Sequence, residues 1–358
     1  MRGILFVVES LGNGGQEKQL LLLCREMLKT QMQVAVYVNL YTEDAFYSAT
    51  FRELNIPVYY TPEKGIAAKI SYLRSVVKTY NPQFVHSFTF HLNYLCWLAT
   101  AGTPAIAIGA LRSIPQYNLK AAGVVRSVLN FLLPAHLVSN NHTGVQTLRK
   151  YMPWKKMYVV ENGIDTSHTG THTPGNNGSV TTISAGRLSA EKRVHLIIET
   201  IGLLVNRGYP VTHHHWGSGP EKEPLVALIA ERGLQERFMI HNETTALAAE
   251  MAKADLFIHA SETEGTPNVI LEAMAHSLPV ITSDCGDVPY IITSGLNGVI
   301  CIPPSPELFA QTAATLITHP ERAANMGRQA NATIHQYYSL DRYLQRTLTA
   351  YDRILAEQ

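Results

Sequence analysis

The stretch SETEGTPNVILEAMAHSLPVITSDCG, Ser261 to Gly286, constrains the chain most. Before it, Asp255 to His259 is a short apolar run of strand type. Glu264-Gly265-Thr266-Pro267 is a turn, because Gly permits unusual φ and Pro presets the first turn of a helix. Val269 to His276 then winds as a helix with Leu271, Met274 and Ala275 on one face. Leu278 to Thr282 returns as a strand, with Pro279 at its start, where a missing N–H is tolerable. A helix that begins just past a strand end offers free N–H groups and a positive dipole end, which suits an anionic ligand.

Two acids hold fixed places in this unit. Glu264 sits on the turn and Glu272 in the helix, with seven residues between them. Both can face one crevice while touching different parts of one ligand. A carboxylate accepts two hydroxyl hydrogen bonds, the way sugars and riboses are held. Either acid alone reads more readily as a solvated loop residue or as a helix-start acid favoured by the dipole.

EGTPNVILEAMAHSLPVI is more than two spaced acids. The Gly after the first Glu, the Asn, the Glu-Ala-Met-Ala run and the Pro-Val resemble the corresponding element of retaining glycosyltransferases of family 4. The resemblance implies the GT-B fold: α/β, two Rossmann-like, doubly wound parallel-sheet domains facing a central cleft. It implies that Glu264 contacts donor-sugar hydroxyls. It implies that the backbone from Gly265 through Thr266, Pro267 and Asn268 to Val269 approaches sugar and phosphates. Glu272 would bind the nucleotide ribose.

The 358 residues exceed what one core usually supports, so two domains are expected. The boundaries fall at 1–165 for an acceptor-binding domain and 166–336 for a donor-binding domain. A final helix over 337–358 is expected to cross back to the first. Thr166 to Ser179 is turn-rich and polar and reads as the linker. Residues 1–165 hold 16 Lys+Arg and 9 Asp+Glu, net +7; the remainder holds 13 and 19, net −6. A basic first half fits contact with phosphates or anionic lipid heads, or attraction to the acidic half. No dense cationic block or nucleic-acid motif occurs, so nucleic acid is not an expected partner. Cys24, Cys96, Cys285 and Cys301 are scattered without metal spacing and read as reduced thiols. Neighbouring strand residues point to opposite faces, so His213-His214-His215 cannot make one simple metal cluster. No apolar run reaches the length of a membrane span, and the start enters a strand without a secretory signal. A cytoplasmic protein is expected, with peripheral contact to the inner face of the membrane as an option.

In the first half, a strand, the Gly-rich loop with Gly12, Gly14 and Gly15, and a helix open a doubly wound sheet. The loop is not a dinucleotide fingerprint. Gly14-Gly15-Gln16-Glu17 resembles the family's first loop, which places Gly15 near the donor and Glu17 near the acceptor. His86, His91 and Arg112 fall at or just after strand ends, where open α/β sheets place ligands. Many relatives carry a His where this chain has Arg112. Arg112 can clamp a phosphate but cannot act as a base at neutral pH. Asn118 to Leu133 is apolar with Lys120 and Arg126 to one side; it can lie on a membrane face, but packing inside the lobe is the favoured expectation.

In the second half, Gly186-Arg187 and Lys192 follow a strand end. Two cations five positions apart can grip a diphosphate, and they resemble the family's diphosphate-binding pair, with Gly186 at the phosphates. His241 ends the strand that lies beside the nucleotide base in relatives. The resemblance implies a retaining transferase, with Arg187, Lys192 and Glu264 central to catalysis. The donor is a nucleotide-diphosphate sugar, UDP for preference, and the acceptor a saccharide or lipid-linked saccharide. No cofactor or metal is expected, since the two cations take the metal's task and no Asp-x-Asp triplet occurs. The alternatives are an inactive nucleotide-sugar-binding protein and an epimerase on the same fold.

Overall fold

The computed structural model describes residues 3–116, 119, 123–167, 178–244 and 246–358. The chain divides into two compact units, Met1–Gly163 with Leu340–Gln358, and Ile164–Ser339.

The first unit is built on a seven-stranded sheet in the order β3-β2-β1-β4-β5-β6-β7. The strands are β1 Ile4–Val8, β2 Val34–Val38, β3 Val58–Tyr59, β4 Phe84–Ser87, β5 Ile106–Leu111, β6 His136–Ser139 and β7 Lys156–Val159. Every pairing is parallel. Parallel strands carry helices on both faces, which is why β1 reads ILFVV and every residue of it is buried. The helix Gly15–Lys29 buries Leu20, Leu23, Cys24 and Met27. The C-terminal helix Leu340–Ala356 joins the same core through Tyr343, Tyr351 and Ile354. Tyr351 stacks on Phe84 with ring centroids 4.6 Å apart. Gln19 pins Gly163, the last residue of this unit before the crossover, donating to its carbonyl at 2.9 Å and accepting from its N–H at 3.0 Å.

The second unit has a six-stranded parallel sheet in the order β10-β9-β8-β11-β12-β13. Its strands are β8 Val180–Ala185, β9 Val211–Trp216, β10 Phe238–His241, β11 Leu256–His259, β12 Val280–Ser283 and β13 Val299–Cys301. In each sheet the strand order reverses once, at β1/β4 and at β8/β11. Loops leaving the carboxyl ends of those strands diverge to opposite sides and leave a crevice. Gly186–Lys192 leaves β8, and Glu264 lies on the loop leaving β11.

Two expectations change in detail, and a third falls mostly outside the described residues. The final helix begins at Leu340, after a widened turn at Ile334–Tyr338, not at Tyr337. Most of the linker, 168–177, lies outside the described residues. So do Asn118 and Lys120; the helix Val124–Leu132 that follows them packs in the lobe through Phe131 but leaves most of its aliphatic residues outside, which corrects that expectation in part. Ser127, Asn130 and Phe131 are buried, while Val124, Val125, Leu129 and Leu132 are exposed. The cause is a buried amide. Asn93 accepts from Ala110 N at 2.8 Å and donates to Ala110 O at 3.0 Å and to Asn130 O at 3.2 Å. Asn130 Oδ1 in turn accepts from Tyr94 N at 3.0 Å. A buried polar group must be bonded, so the helix turns its polar edge inward to meet Asn93.

Asn93→Ala therefore leaves both polar groups of Ala110 and the Asn130 carbonyl short of a partner. Each buried orphan costs about 1–3 kcal/mol. Urea unfolding of the variant is expected to show a clearly lower midpoint; an unchanged midpoint removes Asn93 as the brace.

Candidate active site

The crevice at β8/β11 gathers one charged cluster. Glu264 accepts from Lys192 Nζ at Oε1, and the same oxygen receives His259 Nε2 at 3.1 Å. A carboxylate can only accept, so His259 carries its proton on Nε2. His259 Nδ1 faces Thr282 Oγ1 at 3.1 Å on the neighbouring strand β12. Burial alone would raise the Glu264 pKa. The His259 hydrogen bond and the Lys192 charge outweigh it and hold the pKa at about 2. Oε1 is doubly engaged, which leaves Oε2 to accept from a ligand hydroxyl.

Backbone contacts fix the surrounding loops. Arg193, at φ +47°, donates from Nε to Ala260 O at 2.9 Å and from Nη2 to Ser261 O at 3.0 Å. Glu262 N bonds to Glu191 O at 2.8 Å. The turn carrying Lys192 is thus tied to the loop carrying Glu264. Gly286, at φ +52°, passes against that loop, and a Cβ there would strike the carbonyls of Glu264 and Gly265. Gly217 likewise abuts Gly186, where any side chain would strike the Gly186 carbonyl. The helix Asn268–Ala275 starts directly after Pro267, and Glu272 is half-buried in its second turn. Arg187 is exposed beside Gly186.

Under Gly186 runs a directional chain of hydrogen bonds. His215 Nε2 donates to Gly186 O at 3.1 Å, so its Nδ1 accepts, from Ser184 Oγ at 2.7 Å. Ser184 Oγ then accepts from His213 Nε2 at 2.8 Å, and His213 Nδ1 accepts from Thr182 Oγ1 at 2.8 Å. Burial keeps both imidazoles neutral, pushing His213 well below its ordinary range and His215 to about 4. His214 points the other way, 2.8 Å from His241 Nε2. His241 stacks on Trp216 at 4.2 Å. This split matches alternation along a strand, and among the described residues no His, Cys, Asp or Glu group has the form of a metal site.

The first-unit candidates divide. Glu17 folds back over Gly14, close to Ser10 Oγ at 3.4 Å, and burial raises its carboxyl pKa. Gly15 opens the helix beside it. His86 is 1% exposed and bonds Tyr351 Oη through Nδ1 at 2.7 Å. It is part of the core and offers no surface to a saccharide, because the C-terminal helix covers the end of β4. Arg112 lies flat on Phe88, 3.7 Å from the ring centroid, with Nε buried. His91 stays open: its side chain is 40% exposed while Nε2 meets Glu9 at 2.9 Å, and Asn39 holds the same Glu9 oxygen at 2.9 Å.

Comparison with known proteins follows this division. Residues 13–168 match the model of Glycosyltransferase Family 4, and residues 173–333 match that of Glycosyl transferases group 1. The chain belongs to glycosyltransferase family 4. It is 32% identical over 162 residues to the alpha-D-kanosaminyltransferase of Streptomyces kanamyceticus, covering 43% of this chain and 41% of that one. It is 25% identical over 245 residues to the poly(ribitol-phosphate) alpha-N-acetylglucosaminyltransferase of Staphylococcus aureus, covering 68% of this chain and 47% of that one. These matches span less than half the length of either relative. Anabaena Alr3699/HepE, solved in complex with UDP-glucose, superposes with a TM-score of 0.83 at 19% identity, over 99% of this chain and all of that one. That likeness establishes the GT-B fold for this family 4 member.

His259, Arg193, Gly286 and the Thr182–His215 chain escaped the sequence reading. The last had a signal. Thr182 and Ser184 pair in register with His213 and His215, so two period-2 polar runs lie side by side on one buried face.

The Glu264 carboxyl titrates lower in the folded protein than its ordinary 4.5, so it stabilises the fold above that pH. The contribution falls away as pH drops from about 4.5 toward about 2. Urea midpoints measured across this range are expected to fall less steeply for Glu264→Gln than for the parent; identical slopes would remove the depressed carboxylate.

Proposed function

We propose that this family 4 protein is a retaining glycosyltransferase. It moves a hexose or N-acetylhexosamine from a UDP-sugar to a surface-polysaccharide or lipid-linked saccharide. The observation that carries the reading is the Glu264 carboxylate, clamped at one oxygen by Lys192 and His259 and open at the other. Oε2 accepts a donor-sugar hydroxyl, and amides from Gly265 to Val269 approach sugar and phosphate at the helix N-terminus. Glu272 takes the ribose, and His241 with Trp216 offers stacked rings for the base. Arg187, Lys192 and the Gly186 backbone meet the diphosphate. Its charge grows as the anomeric carbon–oxygen bond breaks, and answering that charge is the main electrostatic task. The acceptor hydroxyl forms its bond on the face the diphosphate leaves, and its proton passes to the departing phosphate oxygen.

Relatives support the acceptor class: the staphylococcal enzyme's name specifies poly(ribitol-phosphate). In the first unit, His91 and Glu9 are the polar groups at strand ends best placed to meet a saccharide. Arg112, stacked on Phe88, adds positive charge nearby. An inactive sugar-nucleotide binder would bind UDP without turnover, and an epimerase would need no acceptor.

Lys192→Ala is expected to lower turnover by roughly 10²–10³-fold, the usual loss for one preorganised charge contact. Near-normal transfer would take Lys192 out of the site. His91→Ala is expected to raise the acceptor KM severalfold while donor hydrolysis without acceptor stays at the parent rate. Loss of donor hydrolysis instead would assign His91 to the donor.

A further inference from the structure

The helix Val124–Leu132 buries Ser127, Asn130 and Phe131 and turns most of its aliphatic side chains outward. Val125 is 77% exposed, Val124 66%, and Leu129 and Leu132 45% each. Lys155 ties a second exposed segment to the end of this helix, donating to Leu132 O at 3.0 Å and to Pro134 O. That segment carries Tyr151 and Trp154, exposed by 69% and 68%. The segment with two exposed aromatic rings thus adjoins the Leu132 end of the exposed aliphatic face on the first unit. Contiguous apolar patches of this kind mark an interaction site.

Charge selects the partner. Residues 101–160 contain seven Lys+Arg and no Asp or Glu. Arg112 and Lys155 are turned inward, Lys156 pairs with Glu357 at 2.9 Å, and Lys120 lies outside the described residues. Arg126, Arg149 and Lys150 remain exposed around the patch. An apolar face with Trp and Tyr beside it and cations at its rim matches the boundary between acyl chains and anionic headgroups. A second copy docked by two-fold symmetry would set these cations against one another.

We propose that the Val124–Leu132 face, with Tyr151 and Trp154, docks the first unit onto an anionic lipid surface. This deepens the lipid-linked acceptor reading and rests on it: a protein held at the bilayer meets an acceptor confined there.

Vesicle flotation of the full chain tests it, using phosphatidylcholine alone and phosphatidylcholine with about a third phosphatidylglycerol. The parent is expected to float with the anionic vesicles, less so at high salt. Val125→Glu/Leu129→Glu should reduce the bound fraction by on the order of tenfold or more. Arg149→Gln/Lys150→Gln should weaken binding and flatten its salt dependence. Trp154→Phe should abolish most of the blue shift in tryptophan emission on vesicle addition. UDP affinity, read in parallel by calorimetry, belongs to the second unit and should be the same in all variants, so a failure there speaks against the transferase reading alone. The docking proposal is overturned if the parent ignores anionic vesicles or if the glutamate pair binds as the parent does. It is also overturned if the parent is a dimer that the glutamate pair dissolves, which would give the face to a second copy.

Discussion

A carboxylate carried into a sheet's edge is tolerable only if something answers its charge. Glu264 meets that condition twice on one oxygen, through Lys192 from the loop after β8 and His259 from β11 itself. Much of the second unit's arrangement follows. The β8 loop must come close enough for Lys192 to reach, which requires the contact between Glu191 and Glu262 and the Arg193 bridge. The loop after β12 must pass under Glu264 and Gly265, which admits only a residue without a side chain at Gly286. The carboxylate is therefore held in place by its own neighbours, and fixed charges of this kind are what preorganised electrostatics needs.

The legible parts of the molecule were those whose meaning lies within a few dozen consecutive residues. The strand–turn–helix–strand from Asp255 to Thr282 and the two doubly wound sheets could be read from apolar runs and turn residues. Glu264, Lys192 and Arg187 were found because each sits just past a strand end. What stayed hidden depends on neighbours distant in the chain. His259 looks like one more strand residue until β12 brings Thr282 beside it. His86 sits at a strand end like a binding residue, yet Tyr351, 265 positions later, takes its nitrogen. Val124–Leu132 was misread in part, with only Phe131 entering the core, because periodicity names an apolar face without saying where it points. Asn93, more than thirty residues earlier, decides that.

The two sheets make different use of the same topology. At β8/β11 the crevice holds a compact, strongly coupled set of charges. At β1/β4 the interior is closed by aromatic rings, with Phe6, Phe88 and His86 in mutual contact and Tyr351 capping them. Outer groups such as Glu9 and His91 stay partly open. A rigid pocket for a small anionic donor and a shallower surface for a larger partner are what these arrangements suit.

The helix Leu340–Ala356 belongs to the first unit but is made after the whole of the second. Its Tyr351 and Ile354 complete a core whose other members, such as Phe84 and Leu20, come far earlier. During synthesis the second unit, Ile164–Ser339, is continuous and has all its strands available before that helix emerges. The N-terminal unit must wait, its core open along the helix Gly15–Lys29, until Leu340–Ala356 has been translated. Domains usually mature from the N-terminus onward. In this chain the second unit has its whole sequence first, and the first unit's core is the one left waiting for a partner.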